Sequence, residues 1–178
     1  MRIAGGTTFP RAMAFGAAGD EGLAFESGRI TATEGRALGV HVNFAPVADV
    51  NNNPRNPVIN IRSFGEDPAR VGRLTAAWIR GLQEGGMLAT LKHFPGHGDT
   101  GVDSHLGLPL IEHPRERLEA VEVAAFKPGL AAGAAAGSAA ATNWVGAASA
   151  GAVSLVPAGA APAGGLVWAV AVRLQRTS

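Results

Sequence analysis

Between Lys92 and His105 the sequence reads Lys-His-Phe-Pro-Gly-His-Gly-Asp-Thr-Gly-Val-Asp-Ser-His, which sets three of the chain's five histidines beside two aspartates. Titratable groups gathered this densely suit proton transfer, because neighbours shift one another's pKa values toward working pH. Asp103 and His105 stand two apart, so in an extended stretch their side chains lie on the same side. A carboxylate there would fix the imidazole tautomer and favour the protonated ring, giving a proton donor near neutral pH. Lys92 and His93 supply further donors, and Arg62 in an earlier loop offers a bidentate fork. From the residues alone, a multi-hydroxyl substrate and an anionic one fit equally well.

Three other chemistries compete for the same residues. His93 and His97 are four apart, but Pro95-Gly96 between them excludes the helix that would present both on one face, leaving only a loop-borne metal site. Gly96 to Gly101 spells G-x-G-x-x-G, yet no helical pattern follows between Val102 and Pro109, as a dinucleotide fingerprint requires. Asp49, Asn51 and Asn53 mimic the start of an EF-hand loop, but Pro54 stands where the turn glycine belongs and Asn60 replaces the bidentate glutamate. No metal and no cofactor are therefore expected. The absence of cysteine also removes thiol catalysis and Cys-ligated zinc.

The elements that must hold these residues follow from periodicity. Asp20 is a good N-cap for a helix in which Leu23, Ile30 and Leu38 recur at roughly helical spacing, stopping at Gly39. Residues 40–45 alternate briefly and end at Pro46, as a short strand does. Residues 46–66, crowded with Asn and Pro, read as loop. Asp67 caps a second helix with Pro68 at its first position, Val71, Leu74, Trp78 and Leu82 on one face, and Gly85-Gly86 at its end. Residues 87–91 form a compact apolar strand, 93–113 a second long loop, and Pro114 opens a third helix carrying Leu118, Val121 and Phe126. Helices alternating with strands predict a parallel α/β sheet, with both long loops at the C-terminal ends of strands, where such folds hold their sites.

Composition adds limits. The chain has 178 residues, 47% hydrophobic and 16% charged, with a formal net charge of +1. Neither nucleic acid nor an anionic membrane is expected as a partner at that charge. All fourteen acidic residues lie at or before Glu122, and no charged residue occurs from Pro128 to Val172. We therefore expect a folded domain over 1–128 and a weakly structured, low-complexity Ala/Gly-rich tail over 129–178. Pro157, Pro162 and Gly164-Gly165 interrupt every window long enough to span a bilayer. The first residues lack the apolar core of a signal peptide, so the expected compartment is the cytoplasm.

Lys92 to Thr100, Asp103-Ser104-His105 and Leu108-Pro109 together resemble glycoside hydrolase family 3, particularly its bacterial β-N-acetylglucosaminidases. Residues 43–50 (Asn-Phe-Ala-Pro-Val-Ala-Asp-Val) and 62–68 (Arg-Ser-Phe-Gly-Glu-Asp-Pro) extend the likeness, which covers roughly residues 2 to 133. The resemblance implies a TIM-like (β/α)8 barrel, here partial, that removes a terminal β-linked N-acetylglucosamine with retention, as from peptidoglycan fragments. His105 matches the family's acid/base, with Asp103 as its partner. Lys92, His93 and Arg62 match its sugar-binding residues, and Arg2 a further binding arginine.

The family's nucleophile is an aspartate on a later strand, and no aspartate follows Asp103. The expectation is a barrel incomplete at both ends, its tail the product of a frame change or a damaged gene, with impaired turnover. Two alternatives remain: a phosphorolytic variant, since a neutral histidine repels phosphate less than a carboxylate does, and a non-catalytic remnant with residual sugar binding.

Overall fold

The computed structural model describes residues 4–101, 111 and 113–139, with side chains through residue 135. Arg2, Asp103, His105 and the stretch from residue 140 onward lie outside the described residues. In chain order the elements are α1 (Ala12–Ala18), α2 (Glu21–Ala37), β1 (Val42–Asn43), a 3-10 turn (Asn60–Arg62), α3 (Pro68–Glu84), β2 (Leu88–Phe94), α4 (Arg115–Ala120), α5 (Glu122–Ala131) and β3 (Ala136–Ala139). The three strands lie side by side in the order β1-β2-β3, and both pairings are parallel. Parallel neighbours need crossover connections, and here α3 joins the first pair and α4–α5 the second. The architecture is part of a TIM-like α/β barrel, as expected.

Helix α3 forms as its sequence predicts. The Asp67 carboxylate accepts from the Arg70 N–H at 2.6 Å, and Pro68 occupies the first turn, where no N–H is needed. Val71, Leu74 and Leu82 are buried, and Trp78 joins two apolar clusters. One cluster sets Ile79 and Leu82 against Ala89 and Leu91 of β2 and Phe126 of α5. The other sets Val71 and Leu74 against Ala24, Val50, Phe64 and Ala125.

Helix α2 starts at the expected cap, Asp20, which accepts from Gly22 and Leu23, but it buries a different face. Leu23 and Leu38 are exposed, whereas Ala24, Ser27, Gly28, Ala32 and Gly35 are buried. The reason is the tight crossing with α3. A Cβ at Gly28 would lie 2.2 Å from the Trp78 carbonyl oxygen, and one at Gly81 only 2.0 Å from that of Phe25. Small residues let the two backbones touch, so they define the contact in place of the leucines.

The other departures are local. The strand expected over 40–45 narrows to Val42–Asn43, although pairing with β2 continues through Ala45, Pro46 and Ala48. Pro46 can accept from Lys92 but cannot donate, which breaks the regular ladder. Strand β2 runs on to Phe94 and so carries Lys92 and His93 within its C-terminal end. The helix opening at Pro114 is two helices, broken at Val121, whose backbone sits at φ −117°, ψ −70°. α1 and β3 fall outside the expected elements. α5 runs across residue 128, with Gly129 buried against Leu91, Ile79 and Thr75. Among the described residues, no helix is long and apolar enough to cross a membrane.

Candidate active site

The two long loops meet on a buried carboxylate. Asp49 is fully buried and accepts from the His97 N–H at 2.7 Å and the His93 N–H at 3.2 Å. Its Oδ2 also lies 2.6 Å from Nδ1 of the His93 ring. A buried charge with so many donors is satisfied rather than stranded. Because a carboxylate only accepts, Nδ1 of His93 must donate, and the free lone pair of a neutral ring is left on Nε2. Nη2 of Arg62 stands 3.5 Å from that nitrogen.

Arg62 is held from its own loop, where Nη1 donates to the Val58 carbonyl at 3.1 Å. The turn beneath it contains Asn60 at φ +41°, a left-handed conformation that asparagine tolerates better than most residues. Lys92 lies beside this guanidinium. Burial depresses its pKa first, the Arg62 charge depresses it further, and Asp49 partly opposes both. Two cations and an imidazole therefore share one corner at the C-terminal end of β2. Such a corner favours a ligand rich in lone pairs, hydroxyl or anionic.

Asn56 locks the loops together. Its Nδ2 reaches the carbonyls of His97, Gly98 and Thr100 at 2.7, 3.1 and 2.9 Å, while Oδ1 accepts from Val58 and Ile59. Ser63 adds a hydroxyl bond to the Asp49 carbonyl at 2.6 Å. Gly98 has a steric reason to be glycine, since a Cβ there would lie 1.7 Å from the Val50 carbonyl oxygen. His97 is fully buried, its ring set edge-on to His93 with Nδ1 against the Thr100 hydroxyl. Among the described residues, no three of His, Cys, Asp or Glu are grouped to hold a metal ion.

Of the residues expected from sequence, the structure brings Arg62, Lys92 and His93 together. Arg2, Asp103 and His105 lie outside the described residues. Asp49 and Asn56 were not expected to take part. An acid between Ala48 and Val50 in an apolar run signals a buried charge that must find donors, which marks Asp49 in retrospect.

Polar residues gathered at the C-terminal ends of parallel strands define the class, a TIM-like barrel carrying its site where barrel enzymes carry theirs. The particular family follows from comparison: the chain belongs to glycosyl hydrolase family 3, whose N-terminal domain model matches residues 1–156. A curated relative, β-hexosaminidase A of Pseudoalteromonas piscicida, is 52% identical over 90 residues, 51% of this chain and 15% of that protein. Among solved structures, a family 3 β-N-acetylglucosaminidase from Paenibacillus sp. str. FPU-7 superposes with a TM-score of 0.78 at 48% identity, covering 82% of this chain and 28% of that one. NagZ from Neisseria gonorrhoeae, in complex with N-trifluoroacetyl-D-glucosamine, gives 0.75 at 37% identity over 82% of this chain and 44% of its own. The chain thus spans less than half the length of these relatives.

Proposed function

We propose that this site is the sugar-holding and acid/base part of a retaining β-N-acetylglucosaminidase acting on saccharides with a terminal β-linked N-acetylglucosamine, with the cytoplasm as its expected compartment. The observation that carries the reading is the convergence of Arg62, Lys92 and His93 on one corner, with Asp49 fixing the His93 ring. Arg62 and Lys92 donate to sugar hydroxyls, His93 Nε2 accepts from one, and Arg2 adds a further donor. His105, as the imidazolium that Asp103 stabilises, gives its proton to the glycosidic oxygen as the bond breaks and is left as the neutral ring, which takes a proton from water in the second half of the reaction. The retaining route also needs a nucleophile to form a glycosyl-enzyme on the opposite face of the sugar. No aspartate follows Asp103 in this chain, so the chain alone should turn over at rates several orders of magnitude below those of a complete site.

The test has two arms. N-acetylglucosamine titrated into the protein should perturb the Arg62, Lys92 and His93 resonances. Arg62→Ala should weaken binding at least about tenfold, equivalent to about 1.4 kcal/mol, without moving the melting temperature. With a chromogenic β-N-acetylglucosaminide, any residual turnover should vanish in His105→Ala. Binding that ignores Arg62, or no binding at all, refutes the reading, and fast turnover refutes the claim of impairment.

A further inference from the structure

Helix α1 has no part in the chemistry proposed above, yet it packs against the 3-10 turn, Asn60–Arg62, that carries Arg62. The contact continues at Gly16, which is buried against the backbone of Phe64. A Cβ there would fall 1.7 Å from the Phe64 carbonyl oxygen and 2.7 Å from the carbonyl carbon. Ala12 and Phe15 of the same helix pack on the cluster that buries the Phe64 side chain. The residues flanking Phe64 are tied to the stretch after β1. The Ser63 hydroxyl donates to the Asp49 carbonyl at 2.6 Å, and the Gly65 carbonyl accepts from the Asn51 N–H at 2.9 Å. Helix α1 is itself hung from α2 at two points. Downstream, Gly19 ends α1 and the next residue, Asp20, caps α2. Upstream, the Thr7 N–H donates to the Glu34 carboxylate at 2.9 and 3.2 Å, and the Thr7 hydroxyl donates to Oε1 of the same group. Asp20 and Glu34 stand near opposite ends of α2, about 20 Å apart at the ordinary helical rise. Residues 7–19 therefore run back along that helix as a strap.

We propose that this strap is the buttress of Arg62, with Gly16 as a positioning residue. By letting α1 lie against the Phe64 backbone, Gly16 sets where the Asn60–Arg62 turn stands, and so where the guanidinium meets the His93 ring. The inference rests on the reading of Arg62 as a sugar-holding residue. Arg62 is sensitive to such support. Its Nη1 is bonded to the Val58 carbonyl, which belongs to the same loop and moves with it. Its Nη2 stands 3.5 Å from Nε2 of His93, at the outer limit of a hydrogen bond, so a small displacement breaks that contact. His93 is held through Nδ1 by the Asp49 carboxylate, an attachment separate from the turn. The two ring nitrogens therefore report separately, Nε2 on Arg62 and Nδ1 on Asp49. A Cβ 1.7 Å from a backbone oxygen is not accommodated by a side-chain rotation, so in Gly16→Ala either α1 or the Phe64 backbone must give way. Alanine is the better helix former, so the substitution does not weaken α1 itself.

The test uses the full chain and reads both ring nitrogens of His93 by nitrogen NMR, first without sugar. In Gly16→Ala the Nε2 resonance should move while Nδ1 stays. The affinity for N-acetylglucosamine should then fall at least about tenfold, within the roughly hundredfold that a misplacement of about 1 Å can cost. Glu34→Ala frees the far end of the strap and leaves the Phe64 contact untouched. Trypsin cleavage after Arg11, followed by mass, should accelerate at least about tenfold, and Nε2 should move in the same direction by a smaller amount. An Nε2 resonance unmoved in Gly16→Ala overturns the buttress. So does one that moves together with Nδ1, because the whole site would then have loosened. If Gly16→Ala loses its cooperative melt, Glu34→Ala decides: unchanged cleavage, or faster cleavage with Nε2 unmoved, overturns the proposal. Nε2 shifted in both variants of a protein that ignores N-acetylglucosamine would uphold the buttress and refute the sugar reading instead.

Discussion

The two faces of the small parallel sheet are built on opposite terms. At the C-terminal ends of the strands, polar groups are buried and paired: Asp49, Asn56 and Ser63 are 0, 2 and 0% exposed and all hydrogen-bonded. Elsewhere on the sheet, apolar groups are uncovered: Val42, Phe44 and Leu88 are 41, 67 and 51% exposed. Val42 pairs in register with Leu88, so these side chains share one face, while Ala89 and Leu91 point to the helical layer. Order at the site therefore comes from loop-to-loop hydrogen bonds and from α2, α3 and α5, not from packing on the uncovered face. Within the described residues, the functional end of the sheet needs nothing from its apolar side.

The largest test of that contrast is Asp49→Ala. It would strand the N–H groups of His93 and His97 and release the His93 ring, and breaking a buried charged cluster this way costs about 3–5 kcal/mol. Urea denaturation followed by circular dichroism would show it as a large fall in midpoint. A loss under about 1 kcal/mol, the scale of an exposed pair, would mean that the polar end is not what orders the loops. Asn56→Ala should come next. Five hydrogen bonds converge on one buried amide, but waters can replace some, so about 1–3 kcal/mol is expected by the same measurement.

Lys92 sharpens the contrast from within the polar end, because burial and the neighbouring Arg62 charge hold its ammonium at a disadvantage. Burial and Arg62 lower its folded pKa. The folded state therefore releases the proton before the unfolded chain does, and stability rises with pH across the interval between the two values. Lys92→Met should stabilise the protein at neutral pH by less than about 1 kcal/mol, given the partial solvation. That advantage should shrink as pH approaches the ordinary lysine value of about 10.4. Chemical denaturation at pH 7 and pH 10 would check both sign and trend, and an advantage that grew with pH would contradict the assigned causes.

Sequence pattern made some of this legible and hid the rest for identifiable reasons. Asp67-Pro68 and the Val71–Leu82 spacing are local signals, and α3 formed on them. The Lys92-His93 pair at a strand end was likewise readable, because a strand's end is where its apolar run stops. Asp49 was not, since its partners lie 44 and 48 residues away and exist only once the loops meet. Asn56 is similar, 41 residues from His97. The buried face of α2 misled for a different reason: apolar spacing marks Leu23 and Leu38, but a helix crossing at backbone contact selects glycine and alanine. The break at Val121 and the short β3 carry too few residues for any periodicity to reveal.

The smallest expected effect falls on the uncovered face and is the one best able to break the comparison. Phe44 is the most exposed large apolar side chain described, so Phe44→Ser removes little buried surface and should change stability by no more than about 0.5 kcal/mol. A contiguous apolar face in water does favour self-association, and the substitution should lower the concentration-dependent fraction of large species in sedimentation. The two measurements together decide the matter. If Phe44→Ser instead cost more than about 1.5 kcal/mol, comparable to losing a packed aromatic contact, the face would be covered in solution. The contrast between a self-sufficient polar end and an unpartnered apolar side would then have to be given up.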